Sequence, residues 1–244
     1  MIETLSLSQL LLGLGILVLA YVVRGITGFG SGLIAIPLLA LMLPLSVVVP
    51  MVGLLDYLAS VGHGVHHRRQ IRWREILPLM PFTLAGVVLA LYIFKTVDAD
   101  LLVKVLGVFV LLYAVYSLLG HEPEGGGSKL WAGPAGGLGG LVGTLFGTGG
   151  PFYVIYLHFR GLDKTAFRAT IAVVFLLDGA SRLVGYTVSG FYTRDVLMLM
   201  AAGLPIMIVA MYAGGHIHTR ITPDQFRRAI AFVLLGSGIA LLLR

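Results

Sequence analysis

The stretch RGITGFGSGLIAIPLL, from Arg24 to Leu39, places an arginine and four glycines within otherwise apolar sequence. Across the 244 residues, 58% are hydrophobic and only 11% are charged, and the mean hydropathy is +0.97. Such a composition lies outside the range of soluble globular domains. Because about 20 apolar residues cross a bilayer, the sequence predicts an all-α integral membrane protein, a polytopic bundle of about eight to ten helical segments.

Several classes of protein are disfavoured by composition. The chain has no cysteine, so thiolate metal sites are excluded, and we expect neither a metal nor a cofactor. No Ser, His and Asp set clusters in one loop, so we do not expect an enzyme. The net charge of +6 resides in short loops, which membrane orientation explains better than nucleic acid does. We expect no cleaved signal peptide, because Glu3 and no basic residue precede the first apolar run.

Apolar runs between charges and helix breakers give the predicted segments. They are 7–24, 30–43, 46–63, 76–94, 101–119, 130–146, 149–159, 166–187, 196–213 and 226–243. The sequence HEPEGGGSK interrupts the series with two acids and three glycines, the composition of a linker. We therefore predict one transmembrane repeat over residues 1–120, a cytoplasmic linker over 121–129 and a second repeat over 130–244, together forming one membrane domain.

Matching landmarks indicate that the two halves are a diverged duplication. The glycines of GFGSG at 28–32 recur 119 residues later in GTGGP at 147–151. The sequence LLD at 54–56 recurs 122 residues later at 176–178. An ordered set of matches with so little drift is typical of an internal repeat.

The basic loops indicate that the two repeats are inverted. The loop after the third segment carries Arg68, Arg69, Arg72 and Arg74, whereas its second-half counterpart, SGFYTRD, has one arginine and one aspartate. By the positive-inside rule the halves then insert with opposite topology, with Arg74 in the cytoplasm. Inverted repeats of this kind are a recurrent transporter architecture. The other residues placed inside are Lys129, Arg160, Lys164, Arg168, Arg220, Arg227 and Arg228; those placed outside are Lys95, Lys104, Arg194 and Arg244.

These features together resemble the TauE/SafE family of membrane transporters, also called the sulfite exporter family. The resemblance rests on GITGFGSGLIAIPLL, on the related GTLFGTGGPFYVIYL and on QIRWREILP, and it covers nearly the whole chain. It implies a multi-pass protein of the bacterial inner membrane that carries sulfite, sulfonates or other small organic or sulfur-containing anions. The second motif departs from the first at Pro151, where a small residue is expected, and at Tyr156, which stands where the first repeat has Pro37.

The glycine motifs are the predicted substrate site. The segment after GFGSG runs only about 14 residues, or about 21 Å, and the hydrocarbon core is about 30 Å thick, so this helix can start within the membrane. Its unpaired N–H groups and positive dipole end would suit an anion. We predict that the second motif supplies a matching helix start from the opposite side, near the midplane; the alternative is that the glycines serve close helix packing. The predicted binding residues are Thr27, Gly28, Gly30, Ser31, Gly147, Thr148, Gly149 and Gly150, with Thr144 as a further hydroxyl donor.

Two arginines within apolar runs are further candidates. An arginine in the bilayer costs about 3 kcal/mol on insertion scales, so it usually has a role. Arg24 is either a ligand of the anion or an interfacial anchor beside Tyr21. The 119-residue spacing pairs it with Gly143, which indicates no second arginine at the equivalent place. Arg182 is a candidate ligand if Asp178 is protonated or turned away.

Asp56 and Asp178 lie near the centres of their predicted spans and are candidates for ion coupling. A deeply buried carboxylate that takes up protons reversibly is a means of coupling transport to a proton gradient. Asp178 and Arg182 are spaced i, i+4, so they can instead neutralise each other. Asp56 has no opposite charge within one turn, which favours it as the titrating group.

The sequence predicts a secondary transporter that moves a small oxyanion by alternating access, with proton coupling as one option. No nucleotide-binding segment is seen, so the energy would come from a gradient. The alternative is a passive anion channel or pore with the same inverted repeats; a scaffold without transport leaves the deep polar residues without purpose. The expected partners are the anion and the lipid bilayer, and the oligomeric state stays open.

Overall fold

A computed structural model describes residues 6–28, 30–63, 68–119, 126–217 and 223–244. Within these ranges the regular structure is entirely helical, which confirms the all-α fold class. The ten α-helices follow the predicted segments to within a few residues at each end. They are α1 Leu7–Thr27, α2 Ser31–Leu39, α3 Leu45–His63, α4 Trp73–Thr96, α5 Ala99–Leu119, α6 Ala132–Phe146, α7 Gly150–Phe159, α8 Lys164–Val188, α9 Arg194–His216 and α10 Pro223–Leu243. Residues 121–125 of the predicted linker lie outside the described part of the chain.

Five of these helices are long and apolar enough to cross a membrane: α1, α4, α5, α8 and α9. Shorter apolar helical stretches occupy Leu45–Val61 in α3 and Arg228–Leu243 in α10. Many large apolar side chains of the five long helices are exposed, for example Val88 of α4 at 67% and Leu112 of α5 at 66%. An apolar exterior of this extent suits lipid rather than water, so the chain is a multi-pass membrane protein.

Two helices are too short to cross a bilayer. Helix α2 has nine residues and α7 has ten, which gives each a length of about 15 Å at 1.5 Å per residue. Each follows one of the two glycine motifs. Pro37 lies inside α2, and Pro151 occupies the first turn of α7, where its missing N–H costs no helical hydrogen bond.

The helices form two compact units, and each unit draws helices from both halves of the sequence. The first unit comprises Met1–Leu55, Val97–His121 and Tyr192–Arg244, and the second comprises Asp56–Thr96 and Glu122–Phe191. In the first unit α1 packs along α9, α5 packs along α10, and α2 contacts α1 and α10. In the second unit α4 packs along α6, and α8 contacts α4 and α7.

Close helix packing in both units depends on glycine. In the first unit, a Cβ atom on Gly25 would lie 2.5 Å from the Met211 carbonyl oxygen, and one on Gly214 would overlap the Val22 carbonyl. In the second unit, a Cβ atom on Gly140 would overlap the Thr83 carbonyl oxygen. Small residues at such crossings let two backbones approach closely, as is common in membrane bundles.

We predict that Gly140→Ala destabilises the protein, because the added methyl group must push α6 away from α4. Overpacking of this kind typically costs about 1–3 kcal/mol. Gly137→Ala is the matched control on the same helix, since its Cβ would meet no described atom within 4 Å and alanine favours a helix by up to about 1 kcal/mol over glycine. The apparent melting temperature in detergent should fall for Gly140→Ala and stay level or rise for Gly137→Ala; equal values would refute the packing role.

Candidate functional site

The first glycine motif forms a sharp break between α1 and α2. Gly28 has φ 84° and donates its N–H to the Arg24 carbonyl oxygen at 2.6 Å, which closes the last turn of α1. Gly30 has φ 92° and precedes the first residue of α2, Ser31. A Cβ atom added to Gly28 or Gly30 would meet no described atom within 4 Å. These two glycines are therefore needed for their left-handed backbone conformation rather than for packing.

Arg24 lies buried at this break. The residue is only 9% exposed, and its Nη1 donates a hydrogen bond to Ser31 Oγ at 2.9 Å. Ser31 is itself fully buried. Thr27 lies in the last turn of α1 and donates its hydroxyl to the Val23 carbonyl at 2.8 Å. The structure thus brings Arg24, Ser31, Gly28 and Gly30 together, while the Thr27 hydroxyl proton bonds to its own helix.

The second glycine motif makes a similar break between α6 and α7, in which its glycines have different tasks. Gly147 has φ 65° and donates its N–H to the Gly143 carbonyl at 2.9 Å. Gly149 has an ordinary φ of −68°, but a Cβ atom there would overlap the Gly139 carbonyl and lie 3.0 Å from Gly143 Cα. Gly147 therefore serves backbone conformation, whereas Gly149 serves close packing. Gly150 is the first residue of α7.

Arg182 of α8 reaches the second break from another helix. Its Nη1 donates to the Gly143 carbonyl at 2.8 Å, and its Nη2 pairs with Asp178 Oδ2 at 3.0 Å. Gly143 is the residue that the repeat aligns with Arg24, so α6 carries no arginine at the equivalent position. The missing side chain is supplied by α8 instead. A cation at the last turn of a helix also interacts favourably with the helix dipole.

Three buried polar atoms near the second break have no hydrogen-bond partner among the described residues. They are Thr144 Oγ1, Thr148 Oγ1 and Arg182 Nε. Thr144 and Thr148 are 0% and 2% exposed. A buried polar atom without a partner costs about 1–3 kcal/mol, and such atoms are uncommon in native structures. All three can donate a hydrogen bond, which an anion with several oxygen atoms could accept.

The predicted pair of Asp178 and Arg182 forms within a larger buried network. Asp178 is 1% exposed, and its Oδ1 accepts a hydrogen bond from the Tyr153 hydroxyl at 3.1 Å. The Tyr153 hydroxyl also lies 3.4 Å from Thr83 Oγ1. Thr83 is fully buried and donates its own proton to the Leu79 carbonyl at 3.0 Å. Helices α4, α7 and α8 are therefore joined through one tyrosine hydroxyl.

Asp56 is half-buried in α3 and belongs to the same unit as Arg182. Its carboxylate interacts electrostatically with the Arg182 guanidinium. The sequence around Asp56 does not reveal this nearby positive charge, because Arg182 is carried by α8. Two carboxylates, Asp56 and Asp178, thus share the charge of one arginine.

A second polar cluster lies around Glu75 and was not predicted. Glu75 is buried, and its Oε2 accepts hydrogen bonds from Tyr156 Oη at 2.9 Å and Arg160 Nε at 2.8 Å. Arg160 Nη1 also donates to the Gly127 carbonyl at 2.5 Å, which ties the end of the linker to α7. The hydrogen bond to Glu75 raises the pKa of Arg160 above its ordinary value. The one sequence feature that pointed to this cluster is Tyr156, which stands where the first repeat has Pro37 and adds a hydroxyl donor that proline lacks.

Known proteins match this chain over most of its length. A probable inner membrane transporter protein, TsaS, from Comamonas testosteroni is 28% identical over 193 residues, which cover 78% of this chain and 81% of that protein. A probable sulfite/organosulfonate exporter, TauE, from Cupriavidus necator is 25% identical over 231 residues, 89% of this chain and 88% of the relative. No solved structure matches the chain.

The family model described as sulfite exporter TauE/SafE matches residues 12–241. The match includes both glycine motifs and every helix from α2 to α9 in full. Members of this family are membrane transporters and not enzymes. The protein therefore belongs to the TauE/SafE family of sulfite exporters.

Proposed function

We propose that the protein is a secondary carrier of a small oxyanion, either sulfite, an organosulfonate or a related anion. The observation that carries this proposal is an arginine at each of two glycine breaks, the buried Arg24 at the first and the partly buried Arg182 at the second. The relative named as a probable sulfite/organosulfonate exporter supports the substrate class. Transport would proceed by alternating access of two inverted halves.

The pairing of helices supports the inverted repeat. In the repeat, α1 corresponds to α6 and α4 corresponds to α9. Helix α1 packs along α9 in the first unit, and α6 packs along α4 in the second unit. Each unit therefore contains the same pair of equivalent helices, with the contributions of the two halves exchanged, as a duplication with internal symmetry would produce.

Contacts at the ends of the short helices support opposite topology. Arg244, assigned to the outside by charge, donates a hydrogen bond to the Ala40 carbonyl at the end of α2. Arg160, at the end of α7, bonds to Gly127 of the linker and to Glu75, next to the basic loop assigned to the inside. Helix α2 thus ends beside a residue assigned to the outside of the membrane, and α7 ends beside residues assigned to the inside. We infer that the basic loops are cytoplasmic and, from the relative named as an inner membrane transporter, that the protein lies in the bacterial inner membrane.

The proposed ligands combine backbone and side-chain donors. At the first break they are Arg24, Ser31 and the backbone at Gly30, while Gly28 shapes the break because its N–H closes the last turn of α1. The burial of Arg24 and its bond to Ser31 favour a ligand over an interfacial anchor. At the second break the ligands are Arg182 Nε and the hydroxyls of Thr144 and Thr148, which have no other described partner. The meeting of the two helix starts near the midplane stays a prediction from the sequence.

Asp56 and Asp178 are the proposed coupling groups. With both ionised, Arg182 is shared between two negative charges, and an incoming anion would be repelled. Protonation of one carboxylate removes one of the two negative charges, so the positive charge of Arg182 becomes available to the substrate. Proton uptake and anion binding would then favour each other, which is the requirement for coupled transport.

We predict that Gly30→Ala lowers sulfite uptake into proteoliposomes at least tenfold, because alanine cannot hold φ 92° without strain. Gly190→Ala is the matched control. Gly190 has φ 76°, and its Cβ would likewise meet no described atom within 4 Å, but it lies in the turn between α8 and α9. It should retain near wild-type uptake at equal expression. Wild-type flux through Gly30→Ala would remove the first break from the transport site.

For Arg24, we predict that Arg24→Gln weakens equilibrium binding of sulfite to the purified protein by about tenfold or more. A hydrogen bond to a charged group contributes about 1.5–3 kcal/mol, and 1.4 kcal/mol corresponds to a factor of ten. Arg194→Gln removes the same charge from an exposed position at the start of α9 and should leave affinity unchanged. Unaltered sulfite affinity in Arg24→Gln, measured by calorimetry, would rule out the ligand role.

A further inference from the structure

The Tyr153 hydroxyl faces two hydrogen-bond acceptors but carries one proton. Asp178 Oδ1 lies at 3.1 Å and Thr83 Oγ1 at 3.4 Å. Thr83 donates its own proton to the Leu79 carbonyl at 3.0 Å, so towards Tyr153 it acts as an acceptor. The tyrosine therefore donates to one neighbour at a time.

This arrangement has two fully bonded states. When Asp178 is ionised, Tyr153 donates to the carboxylate. When Asp178 is protonated, the carboxylic acid donates to the Tyr153 oxygen, and Tyr153 turns its proton to Thr83 Oγ1. Neither state leaves a buried donor without an acceptor, and a donor so stranded would cost about 1–3 kcal/mol.

We propose that Tyr153 and Thr83 form a reversible hydrogen-bond chain that makes Asp178 the proton-coupling carboxyl group of this carrier. The proposal rests on the proposed transport function and assigns the coupling to Asp178 rather than to Asp56. Tyr153 and Thr83 are positioning residues, because they act on Asp178 and do not contact the anion.

Each coupling event adds one proton to Asp178 and leaves Arg182 protonated throughout. The new O–H group donates to Tyr153. The charge attraction of the ion pair, in which Asp178 Oδ2 and Arg182 Nη2 lie 3.0 Å apart, is then lost. Arg182 keeps its bond to the Gly143 carbonyl. Its Nε–H has no described partner and can donate a hydrogen bond to the anion. Release of the anion restores the ion pair and expels the proton.

The other charged and titratable groups around Asp178 are consistent with this assignment. On α8, Arg182 and Tyr186 follow it at one and two turns; Tyr153 faces it from α7. Helix α3 contributes Tyr57, whose ring packs against Gly179, and the half-buried Asp56. Asp56 lies near enough to Arg182 to interact with its charge. Helix α6 carries no titratable side chain, and α4 presents the uncharged Thr83.

The test is pH-difference infrared spectroscopy of the purified protein, which follows the C=O band of a protonated carboxyl group and needs no substrate. All eleven Asp and Glu side chains contribute C=O bands as the pH falls, so the band of Asp178 is identified as the component that is present in the wild type and missing from Asp178→Asn. Asp56→Asn should keep that component. Identical spectra for the wild type and Asp178→Asn would overturn the proposal.

Two conservative variants give a signature that a merely structural role would not produce. Tyr153→Phe keeps the ring against Phe175 but removes a hydrogen-bond partner of Asp178 in both states. The bond to the ionised carboxylate is charge-assisted and about twice as strong as a neutral one, so the ionised state loses more and the midpoint pH of the band should rise. Thr83→Val removes the acceptor that only the protonated state uses, so the midpoint should fall. Each shift should be about one pH unit, the size expected from one hydrogen bond.

A matched control is Tyr186→Phe, which removes a buried hydroxyl whose described hydrogen bond is to the Thr144 carbonyl. It should leave the midpoint within a few tenths of a pH unit. Shifts of Tyr153→Phe and Thr83→Val in the same direction, or no shift in either, would contradict the reversible chain. These two variants keep the test decisive if Asp178→Asn fails to fold.

Uptake of labelled sulfite into proteoliposomes separates this proposal from the proposed function. An inward proton gradient should accelerate uptake by the wild type, and uptake by Asp178→Asn should ignore the gradient. Equal gradient dependence in both would overturn the coupling role of Asp178. If the infrared band behaves as expected but the wild type transports no sulfite or sulfonate, the proposed function fails while the hydrogen-bond chain stands.

Discussion

A helix that stops among buried side chains leaves backbone carbonyl and N–H groups that cannot bond to water. In this protein the last turns before both breaks are closed by a glycine with positive φ, Gly28 after α1 and Gly147 after α6. An arginine then adds charge at each of these points: Arg24 from α1 itself and Arg182 from α8. The same arrangement that satisfies the backbone therefore concentrates positive charge where a short helix begins.

The second break determines much of the surrounding structure. Because Arg182 comes from α8, that helix must lie against the end of α6, where Tyr186 also bonds to the Thr144 carbonyl. A partly buried guanidinium needs counter-charge, which Asp178 provides at 3.0 Å. Asp178 in turn requires Tyr153, and the tyrosine ring fits only because Gly139 has no side chain; a Cβ atom there would overlap the ring. The polar network and the close helix packing are thus parts of one arrangement.

The sequence predicted the helices and offered the pair of Asp178 and Arg182 as one of two alternatives, because both follow from local spacing. Apolar runs locate helices whatever their neighbours are, and a spacing of i, i+4 places two side chains on one face. It did not predict the contact between Arg182 and Gly143 or the cluster of Glu75, Tyr156 and Arg160. Those contacts join residues 39 and 81 to 85 positions apart, and they depend on how each helix is rotated against its neighbour, which apolar periodicity leaves open when a helix is apolar on all sides.

Glycine shows the same division between local and tertiary information. A glycine-rich motif predicts a break, yet the motif alone does not say which glycine holds an unusual φ and which allows a close approach. Gly30 serves the first purpose and Gly149 the second. Substitution at Gly149 would therefore report mainly on packing, and Gly30 is the better probe of the site.

Counterflow of labelled sulfite in proteoliposomes tests carrier action most directly. Vesicles preloaded with unlabelled sulfite and diluted into a trace of labelled sulfite should accumulate the label transiently above its equilibrium level, because a carrier returns with bound substrate. Preloading with an anion that does not bind should abolish the overshoot. Label that only equilibrates, accompanied by unitary currents in single-channel recordings, would contradict a carrier and identify a pore.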